Sequence, residues 1–245
     1  MPTTTFANLR AEKREQFLDT ALAEFARHDF HTASVSRIVA ELGIAKGSVY
    51  QYFTDKRDLY FHLIDRAVTA KLDYIRSAVD PSHEDDGDAE TKAGGGSDGG
   101  ERTESFFNTY RRIVHAGTDF DLRFPRYSLL IARAMQEPES RELGDLAGDL
   151  TSRSSQFLRD FVEVAVQDGQ LRQDIDPGLI VHLVNTMTIS IGRYVEAKYD
   201  FDLMEQLEAP DRPLPFTPEQ LAEDVDSVIE VLRRGLEPDR GEARR

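Results

Sequence analysis

Cysteine is absent from the 245 residues of this chain. Its absence excludes disulfides, a thiolate metal site and a cysteine nucleophile. Nowhere does an apolar run approach the roughly 20 residues that a membrane-spanning helix needs. The opening residues, Met1 to Arg10, contain no apolar core of the kind an export signal carries, so the cytoplasm is the expected compartment. Positive charge is also scarce. The formal net charge is −15, which argues against a nucleic-acid binder that works by bulk electrostatics alone. Nor is there a Gly-rich phosphate loop, a nucleophile elbow or zinc-type ligand spacing, so neither an enzyme nor a resident cofactor or metal is expected. His28 and His31 are the nearest thing to a metal pair, and no carboxylate cluster accompanies them.

Against these absences, residues 34–56 are dense in information. Val35, Ile38, Val39 and Leu42 recur at i, i+3, i+4 and i+7, an apolar stripe along one face of a helix. Ser34 stands just before the stripe, where its hydroxyl can cap free backbone N–H groups. Gly43 follows it and can take the left-handed conformation that ends a helix. A second short segment, Ala45 to Phe53, is anchored by Val49 and Phe53. It directs Lys46, Gly47, Ser48, Tyr50, Gln51 and Tyr52 elsewhere. A break this short makes the two helices cross steeply, as in a helix-turn-helix. Glycine allows close backbone approach to DNA, the hydroxyls suit phosphates, and Lys46 and Gln51 can reach base edges. Asp55 caps a further helix. Lys56 puts a cation at that helix start, against the dipole, which a nearby phosphate would explain. A helical hairpin in a bundle core is the plainer reading of the same spacing. Its wet face would carry Glu, Lys and Ala rather than two tyrosines and a Gly-Ser pair.

With Ala21, Phe25, Ile38, Gly43, Gly47, Val49-Tyr50-Gln51-Tyr52-Phe53, Lys56 and Leu59, the stretch from Arg14 to Leu63 resembles the TetR family of transcriptional regulators. Ala45, where the family often has Ser or Thr, and Val39, where it prefers Ala, depart from the pattern. The resemblance implies an all-α protein. An N-terminal three-helix helix-turn-helix head would occupy residues 1–56, and a larger helical effector-binding and dimerisation domain residues 57–240. It implies that Ser34, Tyr50, Tyr52 and Lys56 hold phosphates while Ser36, Lys46, Gly47, Ser48 and Gln51 lie at or near base edges. The partners it implies are double-stranded operator DNA, a second copy of the chain in a homodimer, and a small-molecule effector. The rival reading is a ligand-binding helical protein or enzyme with a vestigial helix-turn-helix.

The charge distribution fits a reading head on an acidic body. Residues 1–60 hold eight Lys/Arg and eight Asp/Glu, so the net negative charge lies entirely beyond them. Such a body discourages nonspecific adhesion to DNA. Apolar stripes mark helices over Glu12–His28, Lys56–Val79, Glu104–Ala116, Phe124–Gln136 and Ser140–Gln167. Asp176-Pro177 and the capping box Thr217-Pro218-Glu219-Gln220 open two more. These last two are long and apolar along one stripe; in the family, such a pair docks on its twin. Residues 80–104, rich in Gly, Asp and Glu, cannot bury a core and read as a disordered insert dispensable for folding. The family's effector pocket lies among the middle helices. Tyr74, Phe106, Phe107, Tyr110, Met135, Phe161, Met187 and Tyr194 are its candidates here, and the scarcity of inward charge points to a lipophilic effector that releases a repressor.

Overall fold

The computed structural model describes residues 2–79, 105–202, 205–206 and 212–238. The expected insert at 80–104 lies outside the described residues. The fold is all-α, and the described residues contain no strand beyond an isolated bridge between Ser140 and Gly144. The helices are α1 (Thr4–Ala7), α2 (Ala11–Arg27), α3 (Val35–Leu42), α4 (Lys46–Tyr52), α5 (Lys56–Val79), α6 (Phe106–Arg123), α7 (Pro125–Gln136), α8 (Leu146–Gln167), α9 (Pro177–Tyr199) and α10 (Pro218–Leu236).

Two compact units partition the chain. The first gathers Met1–Leu72, Asp119–Ser154 and Glu196–Pro215; the second gathers Asp73–Thr118, Ser155–Val195 and Phe216–Arg245. The first unit has a core in which the stripes read from the sequence meet. Phe17, Leu18, Ala21, Leu22 and Phe25 of α2 pack with Val35, Ile38 and Val39 of α3, Val49 of α4, and Leu59, Leu63 and Ala67 of α5. Leu130 and Ala134 of α7 and Leu146 and Leu150 of α8 complete it. Fully burying a Leu, Val or Phe side chain is worth about 1.5–3 kcal/mol. This shared core is therefore what holds three short helices in place.

Local chemistry explains the element ends. Gly43 closes α3 at φ 65°, the left-handed conformation that suits glycine. Asp55 Oδ1 accepts the Asp58 N–H at 2.7 Å, and Asp58 Oδ2 accepts the Thr54 N–H at 3.0 Å, so α5 starts on two reciprocal bonds. Thr217 and Gln220 form the expected capping box of α10. Asp176 accepts the Leu179 N–H at 2.9 Å at the start of α9.

Several boundaries depart from expectation. Helix α1 is additional; its buried Phe6 lies 4.9 Å from the Phe53 ring and 5.6 Å from the Phe17 ring. Helix α6 runs past Ala116 to Arg123, because Gly117 sits in a helix whose next inward residue, Phe120, is buried. Helix α8 starts at Leu146 rather than Ser140: Ser140 and Gly144 bond each other's backbone in a turn with Gly144 at φ 68°, and Asp145 then accepts the Gly148 N–H.

In the second unit, Phe106 of α6 stacks on Phe161 of α8 with ring centroids 4.5 Å apart, and on Tyr110 at 5.9 Å. Tyr110 is buried, and its hydroxyl lies 2.9 Å from the Thr188 hydroxyl of α9. Asn185 of α9 donates to the Ser155 hydroxyl of α8 at 3.1 Å. Ile180, Val181, Val184, Ile191 and Val195 line the buried face of α9.

His62 of α5 lies edge-on to Phe6 and 5.4 Å from the Phe53 ring. Burial, aided by the nearby Arg66 cation, holds its pKa below the ordinary 6.5. Between the lowered value and 6.5 the unfolded chain binds a proton that the folded chain does not, so stability falls as pH drops through that window. Thermal melts at about pH 7.5 and pH 5.5 should show a lower Tm at the acid value. In His62→Phe that difference should shrink; an unchanged difference would exclude His62 as a source.

Candidate nucleic-acid interface

Helices α3 and α4 meet through Gly43, Ile44 and Ala45, with the Ile44 N–H donating to the Val39 carbonyl at 3.1 Å. Val49 and Phe53 bury one side of α4 and fix which face remains outside. On that outer face Lys46, Gly47, Tyr50 and Gln51 are exposed and Ser48 is half-buried; Ser36 of α3 is exposed as well. Among the described residues, the side chains of Ser36, Lys46, Ser48, Tyr50 and Gln51 make no hydrogen bond or ion pair within the protein. Tyr50 is 49% exposed, a large aromatic ring left in water. A methyl group built on Gly47 would meet nothing within 4 Å, so no packing demand inside the chain explains a glycine there.

The supports of this face are, by contrast, committed. Ser34 stands at the N-cap of α3, yet its hydroxyl makes no capping bond. Glu24 of α2 holds the start of the helix by other bonds: its carboxylate accepts the Ser34 N–H at 2.7 Å and the Arg37 Nε–H at 2.9 Å. Burial raises the Glu24 pKa, but the bonds from Arg37 and Ser34 outweigh it and hold the carboxyl below the usual range. Arg37 also donates to the Thr32 carbonyl at 2.8 Å. Tyr52 is half-buried, its ring 5.5 Å from both Phe6 and Phe17.

Lys56 has a structural task that the sequence does not reveal. Its ammonium donates to the carbonyls of Phe30 at 2.7 Å and of His31 and Ala33 at 3.3 Å each, and sits 4.5 Å from the centre of the Phe30 ring. The cation at the start of α5 is thus explained within the chain, without a phosphate. The same loop is held from the other side by α7. Buried Glu137 accepts the Phe30 N–H at 2.7 Å, and Arg133 donates to the carbonyls of Ala26 and Arg27 at 2.8 and 3.1 Å. Neither residue was singled out from the sequence, because the partners lie 107 and 106 positions away.

The eight pocket candidates divide between the two units. Tyr74, Phe106, Phe107, Tyr110, Phe161 and Met187 belong to the second unit, whereas Met135 packs against the core of the first. Tyr194 was expected on an inward stripe; it is 43% exposed, on the outer face of α9, because Ile191 and Val195 take the buried positions beside it. Leu183 of the same helix is 39% exposed as well. Among the described residues no group of three His, Asp or Glu could hold a metal ion.

A sequence model of the family described as bacterial regulatory proteins, tetR family, matches residues 17–63, which run from α2 into α5. Over that stretch the chain is similar to the TetR family. A helix-turn-helix transcriptional regulator of Staphylococcus aureus (strain bovine RF122 / ET3-1) is 32% identical over 74 residues, 30% of this chain and 40% of that one. The match therefore spans only two fifths of such relatives, and it falls short of the larger part of both chains. Likeness over nearly the whole length comes from solved structures. A TetR family transcriptional regulator from Chloroflexus aurantiacus aligns with a TM-score of 0.69 and 26% identity, covering 98% of this chain and 100% of that one. The regulator FadR of Bacillus subtilis, solved in complex with stearoyl-CoA, aligns with a TM-score of 0.61 over 89% of this chain and 96% of its own; at 13% identity it shows the fold alone.

Lys56→Ala separates the two tasks open to that side chain. Removing its ammonium leaves the carbonyls of Phe30, His31 and Ala33 without it and should lower stability by about 1–2 kcal/mol, read as a drop in Tm. A residue acting only on a phosphate would leave Tm unchanged and reduce the salt slope of DNA binding by about one.

Proposed function

We propose that this chain is a sequence-specific DNA-binding transcriptional regulator that works as a homodimer, a repressor released by a small lipophilic effector. Residues 1–56 form its DNA-binding head and 57–240 its effector-binding and dimerisation domain. The observation that carries the reading is the division of labour at α3 and α4. Ser34, Arg37 and Lys56 are tied up in the scaffold through backbone or side chain, while Ser36, Lys46, Gly47, Tyr50 and Gln51 stand outward with no side-chain bond inside the protein. Short hydroxyls, an amide, one mobile cation and a glycine are what a major groove accepts. Lys46 and Gln51 are assigned to base edges, with Gly47, Ser36 and Ser48 close by. Tyr50 and Tyr52 are assigned to phosphates, along with Ser34, whose hydroxyl is not used as a cap.

Dimerisation is supported by the outer face of α9. Leu179, Leu183, Ile189 and Tyr194 are each between 39% and 49% exposed, apart from a separate buried line. Isolated apolar residues on a surface are ordinary, but four large ones on one helix favour an interface. A second copy on that face supplies the second head that a palindromic site requires. The lipophilic effector is supported by the aromatic cluster of the second unit, Phe106, Phe107, Tyr110 and Phe161, and by the stearoyl-CoA held in the distantly similar FadR. Effector binding would act by favouring a dimer whose heads are misspaced for adjacent grooves. No helix among the described residues is long and apolar enough to cross a membrane, which is consistent with a cytoplasmic regulator.

Footprinting on the DNA upstream of the chain's own gene should reveal a palindrome with half-sites about one helical turn apart or slightly more. Gln51→Ala should relax preference at one or two base pairs, by about 1–3 kcal/mol for a good contact. Ile189→Glu should shift the protein to monomer in sedimentation and abolish the footprint. A wild-type chain that is monomeric at micromolar concentration and protects no site would refute the reading.

A further inference from the structure

We infer that the segment around α1 is a clamp that holds the reading helix α4 in register, with Thr3 as its positioning residue; the inference rests on α4 being the helix that meets DNA. Seven residues make fewer than two turns, too few to be stable alone. The last carbonyls of such a helix have no partner inside it. Thr3 supplies partners to two of them. Its N–H donates to the Tyr52 carbonyl at 2.9 Å, and its hydroxyl donates to the Gln51 carbonyl at 2.6 Å, across 48 positions of sequence. The same hydroxyl oxygen accepts the Phe6 N–H at 3.4 Å as the N-cap of α1. One side chain thus joins the start of α1 to the end of α4.

Phe6 backs the junction. Its ring is 2% exposed and lies 4.9 Å from Phe53 and 5.5 Å from Tyr52, the residues that end α4. Thr4, Thr5 and Ala7, the rest of α1, are exposed. The short helix therefore presents one buried ring and one hydroxyl to the same spot. Gln51 is where the consequence falls, because its carbonyl is held by Thr3 while its side chain lies outward on the reading face. Fixing that carbonyl fixes the origin of a side chain assigned to a base edge. Positioning of this kind bears on discrimination between sequences more than on attraction to phosphates.

The test is Thr3→Val in the full chain, which removes the hydroxyl and keeps the backbone N–H. Hydrogen exchange should quicken about three- to tenfold in α4, the factor expected for one hydrogen bond, while α2 and α5 exchange as in the wild type. Affinity for the specific site should fall by a similar factor and affinity for random duplex should not change. Thr3→Ser should restore both. Unchanged exchange in α4, acceleration spread evenly over α2 and α5, or equal losses on specific and random DNA without rescue by serine would each overturn the clamp. Should the wild-type chain show no preference among DNA sequences, the DNA-reading assignment falls, and the exchange pattern still decides whether Thr3 holds α4.

Discussion

The loop between α2 and α3 is the constraint on which the first unit depends. Its backbone runs from His28 to Ser34 with no regular hydrogen-bonded structure to satisfy it, and an unmet buried carbonyl or N–H costs about 1–3 kcal/mol. Side chains from three helices meet that demand. Lys56 of α5 takes the carbonyls of Phe30, His31 and Ala33; Glu137 of α7 takes the Phe30 N–H; Glu24 of α2 takes the Ser34 N–H. Phe30 is the centre of the arrangement, fully buried, with the Tyr60 ring 5.1 Å away and the Lys56 ammonium over its face. Where α3 starts, and hence where α4 points, follows from how this loop is held.

From that constraint comes an asymmetry in how polar side chains are used. Glu24, Arg37, Lys56, Arg133 and Glu137 each bond the loop or its flanks, Lys56 and Arg133 through more than one bond. The residues on the outward side of α4 have none. An exposed glycine inside a helix costs about 1 kcal/mol relative to alanine, and Gly47 has no neighbour that would obstruct an alanine. The stability of the head is therefore built from residues that do not face outward, which leaves its outer face free to be chosen for a partner.

Much of this was legible in the sequence, and what was not has a common cause. The stripes of α2, α3 and α5, the left-handed Gly43, and the caps at Asp176 and Thr217 are local patterns, each decided within about one or two helical turns. Lys56 was legible as an oddity against the helix dipole, but its carbonyl partners lie at least 23 positions back. Glu137 and Arg133 act across more than 100 positions and leave no periodic trace. Helix α1 is a single turn with one buried side chain, too little for any period to appear; three threonines before a lone phenylalanine were its only signal. Ser34 has the right type and place for a cap, yet its hydroxyl makes no capping bond, and its own N–H is held by a carboxylate ten positions upstream.

Helix α9 shows why burial cannot be read from hydrophobicity alone. Nearly every turn carries an apolar residue on two sides, so a single stripe drawn through the sequence joins Ile180, Leu183, Val184, Ile191 and Tyr194 as if they shared a face. They do not. Ile180, Val184, Ile191 and Val195 are buried in the second unit, while Leu179, Leu183, Ile189 and Tyr194 lie outside it. Helix α10 is the contrast within the same unit: its outer positions are Gln220, Glu223, Ser227 and Arg234, with Val231 the lone large apolar residue among them. Both open faces carry polar side chains, His182, Thr186, Ser190 and Arg193 on α9 among them, but α9 also exposes four large apolar ones where α10 exposes one. Burying apolar surface is worth roughly 25 cal/mol per Å², so an exposed group of Leu, Leu, Ile and Tyr is a store of association energy that a solvated face would not hold.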